Sequence, residues 1–504
     1  NTMKKALIVF IALFITSCSK QPVVELPITT SSPEALEYYK KAMDYYKTTD
    51  FEEGWAVLDS ALSLDPDFAL ASLRRYHPDP DIRVKNRKRA YSLIDNVSAA
   101  EQYILKSNQF GDVGNADSAL YYIQKLVNEN PESYEAYNAL GLVYGGRNEP
   151  KLSEKAYKKA IELNPDNYEA YTRLCGQHIM YGFYDILSEN KRDIEKGREY
   201  ADKLIELNPN GAHSYHFKAN SYRQTADFKK AIPLYDKAVE LSKGTSGEAS
   251  ETYVSAHNLM FSGDFEKARE RYKKAVKIAQ DRKDFETGGD IMNYITLSYL
   301  FQKDFEGALD NLYATAENLD AQKDISESVY LDKFTEIERR KFLCYAHNQM
   351  EKEAKKSLLK TIELNEKLAI LIQDENRLKE HRSRQAYLTS WNDILFGNYQ
   401  SAWKNLETLK EIAGTFQNPT ALDGYHGLMG MLHLMEGNTP QSEKFFNKGD
   451  NRDTYFNYFK ALALKANGKK EEAREVLTAI AGDNFSYLDL ALVKVLAQGQ
   501  LKKL

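Results

Sequence analysis

Between Tyr134 and Asn167 the chain reads YEAYNALGLVYGGRNEPKLSEKAYKKAIELNPDN, and no other stretch limits the fold as much. Tyr137, Leu140, Gly141 and Tyr144 fall at i, i+3, i+4 and i+7, one face of a helix. Gly141 on that face leaves room for a second helix to approach closely. Ser153, Tyr157 and Ala160 repeat the pattern, with small residues beside an aromatic knob. Pro165 cannot continue a helix and pushes Asn164 out of the helical region, so the second helix stops there. One such hairpin cannot bury both its apolar faces, so it needs neighbours built like itself.

The layout resembles the tetratricopeptide repeat (TPR), W-x2-L-G-x2-Y followed by A-x3-F and a closing Pro, with Tyr for Trp and Ser for the first Ala. That resemblance implies helix–turn–helix units stacked into a superhelix. The same signs recur from about Glu34 to the C-terminus. Ala42, Gly54, Ala61 and Pro66 mark one unit, Tyr215, Ala219, Ala231 and Tyr235 another, and Gly430, Ser442 and Phe446 a late one. The expected fold is all-α, an α-α superhelix (TPR solenoid) of about 11–12 hairpins with a C-terminal capping helix from Tyr487 to Leu501. Residues 68–99 read as a degenerate unit. The repeat after Pro165 carries about ten extra residues near Gly182 to Asn190. Residues 33–281 form a regular N-terminal array and residues 282–504 a degenerate one, with irregular stacking expected near 281–288, 316–330 and 366–384.

Composition agrees with a folded helical chain. Hydrophobic residues are 42% and charged residues 28%, and only 13 prolines interrupt 504 residues. Acidic and basic residues are interspersed for a net charge of −5, so nothing points to nucleic acid. Cys175 and Cys344 fall several hairpins apart and read as small core residues rather than a disulfide.

The third cysteine, Cys18, has a different setting. Lys4 and Lys5 precede the apolar run Ala6 to Ile15, too short to span a bilayer and suited to a secretory signal over residues 1–17. Ile15-Thr16-Ser17-Cys18 resembles the lipobox of bacterial lipoproteins, which implies cleavage before Cys18, lipidation of Cys18 and a tether over residues 18–32. With Ser19 rather than Asp next, the resemblance favours the outer over the inner membrane.

No phosphate loop, metalloprotease helix or nucleophile elbow occurs, so the chain is expected to be non-enzymatic and to need no small-molecule cofactor. The basic cluster Arg83, Lys85, Arg87, Lys88 and Arg89 reads as a solvated helix face or, alternatively, a contact for anionic lipid. The TPR resemblance implies a peptide-binding groove along the first helix of each unit. Carried over, it selects His213, His216, Asn220, Arg223 and Gln224, then Tyr253 and His257, then Asn293, with Asn138 and Thr172 at the same place further upstream. His213 and His216 are also spaced to share a metal ion, but no third ligand is evident, so none is expected. The leading expectation is an interaction scaffold of the cell envelope, lipid-anchored and binding a protein or peptide. A nutrient-capture lipoprotein of the starch-utilisation type, or a sensor module of a TPR-bearing signalling system, are the alternatives.

Overall fold

The protein is represented by a computed structural model that describes residues 23–504 apart from 49–50, 78, 180–191, 323–324 and 451, with backbone alone at 48, 285 and 286. The signal segment, Cys18 and the extra residues near 182–190 lie outside the described residues. Twelve hairpins and a closing helix account for the 25 α-helices among them. The first hairpins are α1 (Pro33–Thr48) with α2 (Phe51–Leu64), and the short α3 (Ala69–Arg74) with α4 (Pro80–Ser92). Next come α5 (Ala99–Asp112) with α6 (Ala116–Glu129), then α7 (Tyr134–Gly146) with α8 (Pro150–Leu163). The middle holds α9 (Tyr168–Ile179) with α10 (Ile194–Leu207), α11 (Ala212–Gln224) with α12 (Phe228–Leu241), and α13 (Glu248–Phe261) with α14 (Phe265–Asp281). Then follow α15 (Phe285–Leu300) with α16 (Phe305–Asp320), α17 (Glu327–His347) with α18 (Glu351–Ile372), and α19 (Glu375–Leu395) with α20 (Tyr399–Ala413). α21 (Asp423–Met435) with α22 (Thr439–Phe446), α23 (Thr454–Ala466) with α24 (Lys470–Gly482), and α25 (Leu488–Leu501) complete the chain. Each helix packs on the next, and first helices of neighbouring hairpins touch, as α11 does α9 and α13. The fold is the expected TPR-type α-α superhelix. No described helix is long and apolar enough to cross a membrane.

Local chemistry sets the hairpins. A Cβ on Gly141 would lie 2.6 Å from the Tyr157 ring, so the glycine is what admits the knob. Ser153 donates its hydroxyl to the Gly141 carbonyl at 2.8 Å, which explains a serine where the repeat pattern has alanine. Gly430, Ser442 and Phe446 rebuild the same joint at the other end of the chain, with Ser442 on the Gly430 carbonyl at 2.7 Å. Turns share a second device, a left-handed residue followed by an N-capping aspartate. It recurs at Gly263 and Asp264, Lys283 and Asp284, and Lys303 and Asp304.

One apolar core runs from Ala249 to Ala497 without a break. The boundary at residue 281 is therefore a change of repeat regularity and not of packing. The length near 366–384 holds the end of α18, a turn at Gln373 and Asp374 and the start of α19, and α17, α18 and α19 run to 21, 22 and 21 residues.

The superhelix folds back on its own N-terminal turn. Arg282 reaches Glu52 at 2.9 Å, Lys88 reaches Asp374 at 3.2 Å, and the Ala116 amide donates to the Gln417 carbonyl at 2.8 Å. Val84 of α4 packs beside Leu331, Leu364 and Leu368 of α17 and α18. Apart from Lys88, the basic cluster of α4 pairs locally within the first hairpins. Arg87 pairs with Asp112, Lys85 with Asp81 and Arg89 with Asp67, so the solvated, ion-paired reading fits the structure.

Residues 23–32 are extended, but not free. Val24 bridges to Ser133, the Leu26 amide donates to Glu135, and the Thr29 amide to Glu101 at 3.0 Å. Thr30 and the Ser31 amide both donate to Asp65. The part of the expected tether that is described, residues 23–32, is thus a strap over the first hairpins, and residues 18–22 lie outside the described residues.

Candidate functional site: the groove of α11 and α13 and the cavity beside α15

α11 and α13 present most of the residues selected by register, and the structure shows what each meets. Asn220 is fully buried and accepts a 2.6 Å bond from the Tyr235 hydroxyl. Arg223, also fully buried, donates to Tyr235 Oη at 2.9 Å and to the Asn484 carbonyl at 3.0 Å, with Phe485 under its guanidinium. Gln224 accepts from the Asn484 amide at 3.1 Å, and the Asn484 side chain donates to the Arg223 carbonyl at 3.2 Å. The loop Asp483–Ser486, between α24 and α25, therefore fills this part of the groove. Lys494 of α25 holds the loop through Asn484 Oδ1 at 3.1 Å, and burial pushes its ammonium down to about 8. Expected as a surface for a partner, Arg223 and Gln224 meet this loop, while Asn220 is taken up by Tyr235 within its own hairpin. The reason is geometric: the coil brings residues 261 apart in sequence into contact, which no local register can foresee.

Further along, the groove is aromatic. Tyr253 stacks on Tyr294 at 4.9 Å, and His257 meets both Tyr294 at 4.6 Å and the Tyr272 hydroxyl. Burial holds the His257 imidazole well below its usual range, so it sits neutral in the core. Asn138, at the equivalent place upstream, exchanges hydrogen bonds with Asn167 at 2.9 and 3.2 Å and joins adjacent hairpins. Thr172 returns its hydroxyl to the Tyr168 carbonyl.

Of the selected set, Asn293 lines a cavity. A cavity of about 300 Å³ lies among α15, α16, α17, α18 and α19. Its lining is rich in amides, with Asn293, Asn318, Gln322 and Asn365, and carries Arg339, Arg340 and Arg384 against Asp290, Asp332 and Glu336. Glu336 pairs with both Arg339 and Arg340 at 2.8 Å. Those guanidiniums outweigh the cost of burial and hold its carboxyl down to about 2. Three buried atoms around the cavity have no hydrogen-bond partner: Asn293 Oδ1, Gln322 Oε1 and Arg340 Nη1. Two acceptors and a donor left open are the complement of an extended peptide backbone. Asn293 was legible from register, but Asp332, Glu336, Arg339, Arg340, Asn365 and Arg384 lie on α17 to α19, longer helices whose register the repeat pattern no longer fixes.

His213 and His216 are brought together with a third group that the sequence did not expose. Glu251 of α13 stands 3.8 Å from His213 Nδ1 and 3.0 Å from His216 Nδ1. The absence of a third neighbour for this histidine pair is thereby corrected. It was hidden because register selected Tyr253 and His257 on α13 and passed over the position between helices.

Fold and site together define a helical-repeat protein of the tetratricopeptide type with an inner face partly closed by its own chain. Comparison with known proteins agrees at that level. Residues 134–167 match the model of the tetratricopeptide repeat, and residues 208–418 that of the soluble NSF attachment protein, SNAP. Anaphase-promoting complex subunit 3 of Schizosaccharomyces pombe is 22% identical over 211 residues, 41% of this chain and 30% of that protein. The matched region thus spans less than a third of that relative's length. Among solved structures, MamA from Desulfovibrio magneticus RS-1 is 17% identical with a TM-score of 0.30, covering 36% of this chain and 97% of its own. YrrB, a TPR protein with an unusual peptide-binding site, is 18% identical with a TM-score of 0.26, covering 42% and 96%.

Proposed function

We propose that the protein is a non-enzymatic interaction scaffold that takes an extended peptide segment of a protein partner in the cavity bounded by α15 to α19. The observation that carries this reading is the trio of buried, unpartnered atoms, Asn293 Oδ1, Gln322 Oε1 and Arg340 Nη1, around an amide-lined space of about 300 Å³. Burying a polar atom without a partner costs about 1–3 kcal/mol, and a bound backbone would recover that cost. The proposal includes a lipid on Cys18 that holds the scaffold at the bacterial envelope, with the outer membrane favoured. Its support is the run Ile15 to Cys18 behind an apolar segment and two lysines. The strap at residues 23–32 would then set the anchored end against the first hairpins.

Cross-linking and capture from membranes, with Asn293→Ala and Arg384→Ala variants beside the natural chain, tests the binding reading. Loss of the captured partner from both variants is expected, and an unchanged set of partners would overturn it. Cys18→Ala should abolish palmitate labelling and release the protein, whereas persistent membrane attachment would remove the anchor.

A further inference from the structure

His213, His216 and Glu251 are the one group of three potential ligands among the described residues whose donor atoms all lie within 4.8 Å of one another. We propose that they form a binding site for a divalent transition-metal ion of the zinc class, linking α11 to α13 on the inner face of the superhelix. The two histidines lie on one face of α11 at i, i+3, and the carboxylate comes from the first turn of α13 in the next hairpin. The site thus spans two repeats.

Three observations support it. First, the spacing fits. Ligands 2.0–2.2 Å from a tetrahedral zinc stand about 3.3 Å apart, and the observed separations of 3.0 and 3.8 Å bracket that value. Second, His216 Nδ1 and Glu251 Oε2 are at contact distance, yet neither has a hydrogen-bond partner. Third, the charge has few partners: the cationic groups that the described residues set beside Glu251 are the two imidazoles themselves. The Glu251 side chain is only 2% exposed, and a buried carboxylate needs a cation close by. Arg223, the arginine of α11, turns its Nε to the Asn484 carbonyl and its Nη1 to Tyr235. A dication on the three side chains would balance the carboxylate with both imidazoles neutral.

Two imidazoles and one carboxylate leave a fourth position open on a tetrahedral ion, which water or a side chain of a partner would fill. The ring of Phe217, 4.4 Å from His213, backs the site on one side, and Tyr168 bonded to Ser214 at 2.9 Å closes another. Nothing in this arrangement depends on the cavity at α15, so the two proposals stand or fall separately.

The test uses the tag-free full chain, stripped with a chelator and titrated with Co2+ and then Zn2+. One equivalent of Co2+ should produce visible ligand-field absorption that Zn2+ displaces, and one equivalent of Zn2+ should raise Tm to a plateau. Glu251→Gln and His216→Ala should weaken Co2+ binding by at least about tenfold, while His381→Ala leaves it unchanged. His213→Asn, at a more exposed ligand, gives the same reading if His216→Ala loses its helical circular dichroism. Binding that fails to saturate at one equivalent, or that survives Glu251→Gln intact, would overturn the site.

Discussion

Single atoms decide whether these hairpins close. Gly141→Ala puts a methyl group into the Tyr157 ring, and overpacking of that kind costs about 1–3 kcal/mol. A Cβ on Gly146, at the end of the same helix, meets nothing within 4 Å. Chemical denaturation should therefore show a clear loss for the first variant and little for the second. Ala226 offers the opposite experiment, because it holds φ at 57° in the turn between α11 and α12. Glycine adopts that conformation freely, so Ala226→Gly should stabilise by up to about 1 kcal/mol despite its looser unfolded chain. His347 gives a pH-dependent case. Trp391 Nε1 donates to Tyr455 Oη at 3.0 Å, Tyr455 stands 3.0 Å from His347 Nε2, and His347 Nδ1 lies 2.9 Å from the Leu343 carbonyl. Burial pushes the imidazole down to about 4, so the folded state keeps it neutral where the unfolded chain is already protonated. Its contribution is present above pH 6.5 and is lost as pH falls from 6.5 towards 4, on the order of 3 kcal/mol in all. Urea melts at several pH values should show that slope in the natural chain and its removal in His347→Phe.

At the scale of helices, much was legible. The i, i+4 faces, the glycine beside an aromatic and the closing proline gave α7 and α8, and the same signs gave both helices in the units at either end. Aspartate after a left-handed turn residue fixes several helix starts locally, which is why boundaries near Asp264, Asp284 and Asp304 follow from short-range chemistry. What was not legible is set by contacts between distant elements. Register placed Arg223 and Gln224 on the inner face, and they are there, but the loop at Asp483 that covers them arrives from the far end of the chain. Glu251 escaped for a milder reason, since it faces α11 across one repeat while the pattern singled out its neighbours on α13. The strap at residues 23–32 lacks any periodicity, and its backbone is held by side chains of α5, α7 and the end of α2. Removing its anchor by Asp65→Ala should raise hydrogen exchange over residues 26–32 and leave α13 to α25 unchanged.

On the largest scale the molecule is a coil whose ends are spent on its own interior. The N-terminal hairpins rest on residues 246–282 and 328–374 through Glu52, Glu53, Asp79 and Lys88, and α25 closes against α15. That closure covers the α11 stretch around Arg223 and Gln224 with the loop after α24. Spin labels at Thr225 and Gly482 test this arrangement most directly, since both positions are exposed and flank the contact between α11 and the loop after α24. An uncoiled stack of the intervening hairpins, at about 10 Å each, would separate them by on the order of 60 Å. The self-closed superhelix predicts a single narrow distribution at a small fraction of that distance, and a broad distribution centred near the uncoiled value would contradict it.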